Sequence, residues 1–282
     1  MLYFPKFDNG ISKTMAEVML EPNDPVHGID HTREVFNTCM NILHSRVDDD
    51  GRLYVDFNTW ESEKPAPTLI VTQRIINIMV IATAFHDVCR GKDNHEIEGA
   101  KLFESYFSDI SETVPGKKSV FTIVEKDLVY EIMLDKDDVE VVKCIIKSHR
   151  SSNGQTLHLI NQPDMMCAIL RDADKLDAIG VNGIRRCIIH GAMNGQPFHD
   201  PQLLPKNKYD GNSTTGVNHI FEKLLKINPE SMYTKSASAM AERGHVSLVK
   251  FIEIIDKETI PTLFGIGTQN PYSVHITEPG KD

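Results

Sequence analysis

A chain of 282 residues with 40% apolar and 25% charged side chains can bury one large core or two small ones, and it excludes fibrous, disordered and membrane-embedded classes. A formal net charge of −10 withholds the basic footprint that non-specific DNA or RNA binding needs, while leaving room for a local basic pocket around a nucleotide. The five cysteines, Cys39, Cys89, Cys144, Cys167 and Cys187, are odd in number and show no CxxC pairing, which fits reduced, core-filling thiols in a cytoplasmic protein.

The opening MLYFPKFDNG carries an early proline and an aspartate and lacks the basic-then-apolar layout of a secretion signal. Residues Met1–Pro25 read as an arm with a short helix around Ser12–Leu20, closed by the turn chemistry of EPNDP. Val35, Cys39, Ile42 and Leu43 recur at helical spacing, which predicts an amphipathic helix over His31–Arg46 with Asp30 as N-cap. The acidic DDDG of Asp48–Gly51 predicts a turn, and Arg52–Phe57 a short strand or an ordered loop.

The apolar run Leu69–Phe85 predicts a helix buried on most sides. Gln73, Arg74 and Asn77 interrupt it, so it is a poor membrane span. It ends in the adjacent pair His86–Asp87, followed by a polar loop to Asn94, which could cap the next helix. That helix carries His95 and Glu96 in its first turn and an apolar stripe through Ile97, Ala100, Leu102, Phe103 and Phe107. SVFTIV, near residue 120, is either a strand or part of a loop insertion. A helix starting at Asp137 or Asp138 ends at His149, and Ser151–Gly154 breaks it. Asp164 is read as the cap of a helix that runs into AILRDADKLDAIG, where Gly180 and Gly183 permit close packing or a bend. After the long loop Asn194–Asp210 come helices over about Thr215–Lys226 and Ser231–Thr259, with Pro261 as the stop. The expected architecture is a single all-α domain over 1–265, with its core at about 25–260 and a loosely held tail over 266–282.

Several of these apolar helices end in polar residues. His27 and His31 are four apart and share a helix face if helical. His86 and Asp87 can serve one ion only at a helix end, with other helices supplying the rest. Asp172, Asp174 and Asp177 crowd an apolar helix, which is costly unless a cation or Arg171 and Lys175 compensate. Each end taken singly is an ordinary cap. Apolar helices converging on polar ends are also how a bundle builds an interior metal site.

Taken together these motifs resemble the HD-domain metal-dependent phosphohydrolases. The resemblance rests on HTREV (His31, Arg33, Val35), FHD (Phe85, His86, Asp87), HExxGA (His95, Glu96, Gly99, Ala100), IIxxH (His149) and DADKLDAIG (Asp172–Gly180). It covers about residues 25 to 260, and HIFEKLLKI with the long helix after Ala239 is similar to the YedJ-type subgroup of small bacterial HD proteins. One departure stands out: Gly28 occupies the place after His27 where that subgroup has Asp.

The resemblance implies an all-α HD bundle with a divalent ion held by His31, His86, Asp87 and Asp174, the acid directly before Lys175 being the family ligand. Two imidazoles and two carboxylates suit Mn²⁺, Fe²⁺, Co²⁺, Ni²⁺ or Zn²⁺ better than Mg²⁺, and an octahedral ion keeps positions open for water and phosphate. A water activated at the ion would attack phosphorus, with Asp87 orienting it. His95 is the expected acid for the leaving oxygen, because relatives with an HExxG helix place that histidine there. Lys175 and Arg90 are candidate phosphate clamps, and His149, Glu96 and His27 candidate substrate contacts. Lys175 reads equally as the partner of Asp172 or Asp177, and a second ion on His95 and His149 stays open. The expected substrate is a small phosphate ester or anhydride, a nucleotide first of all, with no membrane partner; the residues leave the oligomeric state open. The alternatives are a non-catalytic metal- and nucleotide-binding regulatory module and a phosphodiesterase for another phosphorylated substrate.

Overall fold

In the computed structural model the helix α3 (Gln73–Phe85) lies at the centre of the packing, with every residue from Ile78 to Phe85 buried. A helix apolar on all faces must be covered on all faces. The covers are α2 (Ile29–Leu43), α4 (His95–Phe107), α5 (Lys136–Ser148) and α6 (Gln162–Asp177), all of which contact it. Each fully buried Ile, Met or Phe contributes roughly 1.5–3 kcal/mol of transfer free energy, so this segment anchors the fold. Phe85 meets the Phe103 ring edge-on, with centroids 5.4 Å apart. Gly99 lets α4 come close, since a Cβ there would lie 3.3 Å from the Phe85 carbonyl oxygen. The glycine of the HExxGA motif therefore sets how near His95 and Glu96 sit to the end of α3.

The structure describes residues 2–3, 5, 9–59, 66–107, 119–125, 128–150 and 157–264. The predicted break at Ser151–Gly154 and the tail over 266–282 lie outside them, as do parts of the loops 46–68 and 109–127. The described chain forms two compact units. One takes the chain up to Asp177 with Pro229–Met240, the other Ala178–Asn228 and the chain from Ala241. Among the described residues no helix is long and apolar enough to cross a membrane.

The first unit begins with α1 (Asn9–Val18) and α2. α2 starts two residues before the expected point: Gly28 is its N-cap, and no side chain caps it. Asp30 instead lies inside the first turn. A Cβ on residue 28 would lie 2.6 Å from the Pro22 carbonyl oxygen and closer still to that of Asp24. The tight turn before α2 therefore excludes any side chain larger than glycine's, which accounts for Gly28 standing after His27.

The apolar run ahead of α3 divides. Thr68–Ile70 is a strand (β3) paired antiparallel with Leu53–Asp56 (β2), which also pairs with Arg46–Val47 (β1). The helix begins only at Gln73, where the Thr72 side chain accepts from the Ile75 amide at 3.3 Å. A β-branched cap and alternating exposure over Thr68–Ile70 outweigh the continuous hydrophobicity there. SVFTIV is a strand: Ser119–Glu125 (β4) pairs with Leu128–Leu134 (β5). α5 is capped one or two residues earlier than expected, by Asp135 in a reciprocal capping box with Asp138. Asp164 is not the cap of α6; its own amide donates to the Asn161 side chain.

The second unit contains α7 (Gly180–Met193), α8 (Gly216–Glu222) and most of α9 (Lys235–Phe264). Thr215 caps α8, accepting from the Asn218 amide at 2.9 Å. Gly180 has φ +65°, and a Cβ there would lie 3.3 Å from the Gly244 Cα, so two glycines let these backbones touch. Pro261 does not stop α9, which continues to Phe264. Four of the five free cysteines are buried as expected, and Cys144 is exposed.

Candidate metal centre

α2, α3, α4, α5 and α6 each bring a polar residue to one point of the first unit. α2 presents His31 in its first turn, and α3 ends with His86 as its C-cap. α4 opens with His95, α5 ends with His149 as C-cap, and the last turn of α6 carries Asp174 and Asp177. Asp87 is the hub. Its Oδ2 lies 3.4 Å from His31 Nε2 and 3.9 Å from His86 Nε2. Its Oδ1 lies 3.3 Å from His95 Nε2 and 3.5 Å from His149 Nε2. Asp174 joins from the other side, with Oδ1 at 3.5 Å from His31 Nε2. The imidazoles and Asp87 are buried, while Asp174 is 38% exposed.

The far nitrogen of each ring fixes its orientation. His86 Nδ1 donates to the Thr83 carbonyl and His149 Nδ1 to the Ile146 carbonyl, each at 2.7 Å. Both bonds fall back on the ring's own helix and turn Nε2 toward Asp87. His31 differs, because its Nδ1 lies 2.7 Å from the buried carboxylate of Asp177. Asp174 and Asp177 are three apart on α6 and share a face, so one helix grips both sides of the same imidazole. Asp172, two residues before Asp174, points elsewhere: it accepts from the Tyr233 and Thr234 amides and the Thr234 hydroxyl at 2.8–2.9 Å. The choice between the two acids of the DAD motif is thus made by helical phase.

Burial would raise the Asp87 carboxyl, but the imidazoles facing it, His86 first, hold it well below the usual carboxylate range. Burial pushes His86 down to about 4, leaving a neutral ring with a lone pair on Nε2. Burial works the same way on His149, yet the Asp87 carboxylate outweighs it and holds that ring above its usual value. Desolvation raises Asp174 too, and the fields of His31, His86 and His149 together more than offset it.

These donors fit a divalent ion. The fully buried Nε2 of His86 has no hydrogen-bond partner among the described residues. An orphaned acceptor of this kind is costly unless something cationic fills the gap. Neighbouring donors around an ion with bonds of about 2.1 Å lie about 3.0–3.4 Å apart; His31 Nε2 is 3.4 Å from Asp87 Oδ2 and 3.5 Å from Asp174 Oδ1, with His86 Nε2 farther, at 3.9 Å from Asp87 Oδ2. Two sets of donors each lie within 4.8 Å of one another, His31–His86–Asp87 and Asp87–His95–His149, and both contain Asp87.

The remaining expected residues fall around this core. Arg90 folds back through a turn, its amide donating to the Asp87 carbonyl, so that Nη1 lies 3.3 Å from Asp87 Oδ1 and 3.1 Å from His95 Nε2. Glu96 is buried, with Oε2 3.5 Å from His95 Nδ1 and 3.9 Å from the Arg150 guanidinium. His27 sits at the rim, half-buried, 3.5 Å from Asp24 and edge-on to the His31 ring. Lys175 donates to the Ser231 carbonyl at 2.9 Å and lies over the Tyr233 ring, and desolvation lowers its pKa against the pull of Asp172. Its direct hydrogen bond goes to the backbone rather than to Asp172 or Asp177. Asp177 and Asp172 are the two residues whose parts sequence reasoning did not assign. The three-residue step from Asp174 was the available signal for Asp177.

Two measurable outcomes follow from this geometry. Asp177→Asn keeps an acceptor for His31 Nδ1 but removes its charge, and Asp177→Ala removes both; metal affinity should fall by about 10-fold and about 100-fold, the range seen for partners of ligating histidines. Competition with a chromophoric chelator reads both. The second outcome concerns acid. His86 and His219 are each pushed down to about 4 by burial, from an ordinary value of 6.5. Between these values the unfolded chain binds protons that the native state refuses, so stability falls as pH drops from about 6.5 to 4. Melting of the metal-free protein across that range should show the decline, and His86→Ala should flatten it.

No protein-family model matches the sequence. Over 89 residues the chain is 29% identical to the uncharacterized protein YpgQ of Bacillus subtilis; the match takes in 32% of this chain and 38% of the length of YpgQ. Among solved structures, an HD-superfamily hydrolase from Bacillus thuringiensis superposes with a TM-score of 0.54 at 22% identity, covering 88% of this chain and 95% of its own. A Lactobacillus plantarum protein gives 0.53 at 22%, covering 88% and 94%. The structure of YpgQ in complex with ADP gives 0.52 at 17%, covering 88% and 97%. The chain therefore has the mostly helical fold seen in the HD-superfamily hydrolase.

Proposed function

We propose that this chain is a metal-dependent phosphohydrolase of the HD type, cleaving a phosphate ester or anhydride of a small molecule, most specifically a nucleotide. One observation carries the reading: helix ends far apart in sequence aim imidazole Nε2 atoms at both oxygens of one buried carboxylate, Asp87. His31, His86, Asp87 and Asp174 would hold the ion, a mixed nitrogen and oxygen set that suits Mn²⁺, Fe²⁺, Co²⁺, Ni²⁺ or Zn²⁺. Bound there, a divalent ion would acidify a water and draw charge from a phosphoryl oxygen.

The chain's own groups supply the rest. Asp87 orients the attacking water, because both of its oxygens face the centre. Arg90 is over a third exposed and long enough to reach a phosphate at the mouth. His95 delivers the proton to the leaving oxygen. Its Nε2 stands between the two groups it would exchange protons with and be steered by, 3.3 Å from Asp87 Oδ1 and 3.1 Å from Arg90 Nη1. His149, Glu96 and His27 line the approach to substrate, and Lys175, held by Ser231, supplies positive field from one side.

The nucleotide preference draws on the ADP carried by YpgQ, a protein of the same fold. The test is metal analysis of protein purified without chelator, followed by a panel of nucleotides and a generic phosphate ester with Mn²⁺ or Co²⁺. Metal-dependent release of phosphate or pyrophosphate from a nucleotide supports the proposal. Tight nucleotide binding without turnover, under every metal, would instead assign a regulatory module.

A further inference from the structure

The donor set around Asp87 is nearly symmetric, but its two halves are not filled alike. On the Oδ2 side the Nε2 of His86 is an orphaned acceptor, a gap shaped for a cation. On the Oδ1 side His95 and His149 complete a second set of the same chemistry. There a cation is already present. Arg90 Nη1 makes a near-equilateral triangle with Asp87 Oδ1 and His95 Nε2, with sides of 3.3, 3.1 and 3.3 Å. The placement is built in, since the turn from Asp87 to Arg90 closes with a backbone hydrogen bond of 3.0 Å and returns the side chain over its own starting point.

Resting on the metal-centre reading above, we propose that Arg90 is the second cation of this centre. Its guanidinium occupies the Asp87–His95–His149 side, so the protein takes up one divalent ion and not two. An ion bound to Oδ1 and His95 Nε2 at about 2.1 Å would sit against the guanidinium nitrogen, and two positive charges at that distance repel. Both claims on the same lone pairs exclude each other. A guanidinium also does for a transferring phosphoryl group what a second ion does, offering paired donors and positive charge, without requiring a second site to be loaded.

The experiment is the stoichiometry of bound Mn²⁺. The full-length wild type, Arg90→Met and Arg90→Lys are dialysed against increasing Mn²⁺, and ions per chain are counted by mass spectrometry. Low-temperature electron paramagnetic resonance separates an isolated ion from a spin-coupled pair. The wild type and Arg90→Lys should saturate at one ion with an isolated-ion spectrum. Arg90→Met should reach two, with the coupled signature. Two ions in the wild type, or one in a folded Arg90→Met, would overturn the assignment while leaving the hydrolase reading intact. No ion in any of the three would remove both.

Discussion

Asp87→Ala should leave a folded, helical protein that holds no metal and hydrolyses nothing. Asp87 is the one side chain that both donor sets share, and its two oxygens face the Nε2 atoms of His31, His86, His95 and His149. Loss of an outer partner of a ligating histidine costs about 10–100-fold in metal affinity, so loss of the shared carboxylate should cost more than about 100-fold. The helices should survive, because their stability comes from the apolar faces packed on α3 rather than from the centre. His149, held above its usual value by Asp87, should lose that support once the carboxylate is gone. Asp87→Asn separates volume from charge: it fills the same space and should bind metal almost as poorly. Metal content, turnover and circular dichroism on the same samples check all three parts. A variant of Asp87 with full metal content and normal turnover would remove the proposed mechanism.

Asp172→Ala should give the largest loss of stability of any substitution near the centre, roughly 3–5 kcal/mol, while leaving the ligand atoms themselves unchanged. Asp172 accepts three hydrogen bonds, from the Tyr233 and Thr234 amides and the Thr234 hydroxyl. Thr234 in turn accepts from the Ala237 amide in the first turn of α9. The same segment is held within the first unit from another direction, because Asn58 donates its amide to the Tyr233 carbonyl and its side chain to that of Met232. Removing the carboxylate leaves the buried Thr234 amide and the half-buried Tyr233 amide without an acceptor, each costing up to about 1–3 kcal/mol. Asp172→Asn keeps the acceptor for one of them and should cost about half as much. Urea unfolding monitored by helicity measures the difference.

Acid acts on this residue in the opposite sense to its action on His86. Burial raises Asp172 to about 6 from an ordinary 3.8, so between these values the native state holds a proton that the unfolded chain has released. This group alone therefore favours folding as pH falls from about 6 to 3.8, and its contribution is lost as pH rises through about 6. Asp172→Asn should accordingly steepen the acid loss that His86 and His219 impose.

Much of this was legible in residue order because it is local. The 3.6-residue period of Val35, Cys39, Ile42 and Leu43 marks α2, and the apolar run that ends at Phe85 marks α3 as central. Where the reading slipped, a short-range competitor won. Thr68–Ile70 is apolar enough for a helix but alternates in exposure and pairs with β2. Asp30 and Asp164 are good caps by type, yet a glycine turn and Asn161 take those places. Pro261 lies within α9 rather than beyond it.

By itself the sequence determined which polar groups stand at the ends of apolar helices: His27 and His31, His86 and Asp87, His95, His149, and the acids Asp172, Asp174 and Asp177, among which only the resemblance to HD phosphohydrolases pointed to Asp174. It did so because helix ends and apolar faces are properties of a few consecutive residues. Only the tertiary structure decided how those groups divide. It put His31 between Asp174 and Asp177, sent Asp172 to the start of α9, turned Lys175 to Ser231, and laid Arg90 against Asp87 and His95. Those pairings join residues brought close by packing around α3, and a distance of 3 Å across such a core is set by the shapes of all the side chains between, which no single stretch of sequence contains.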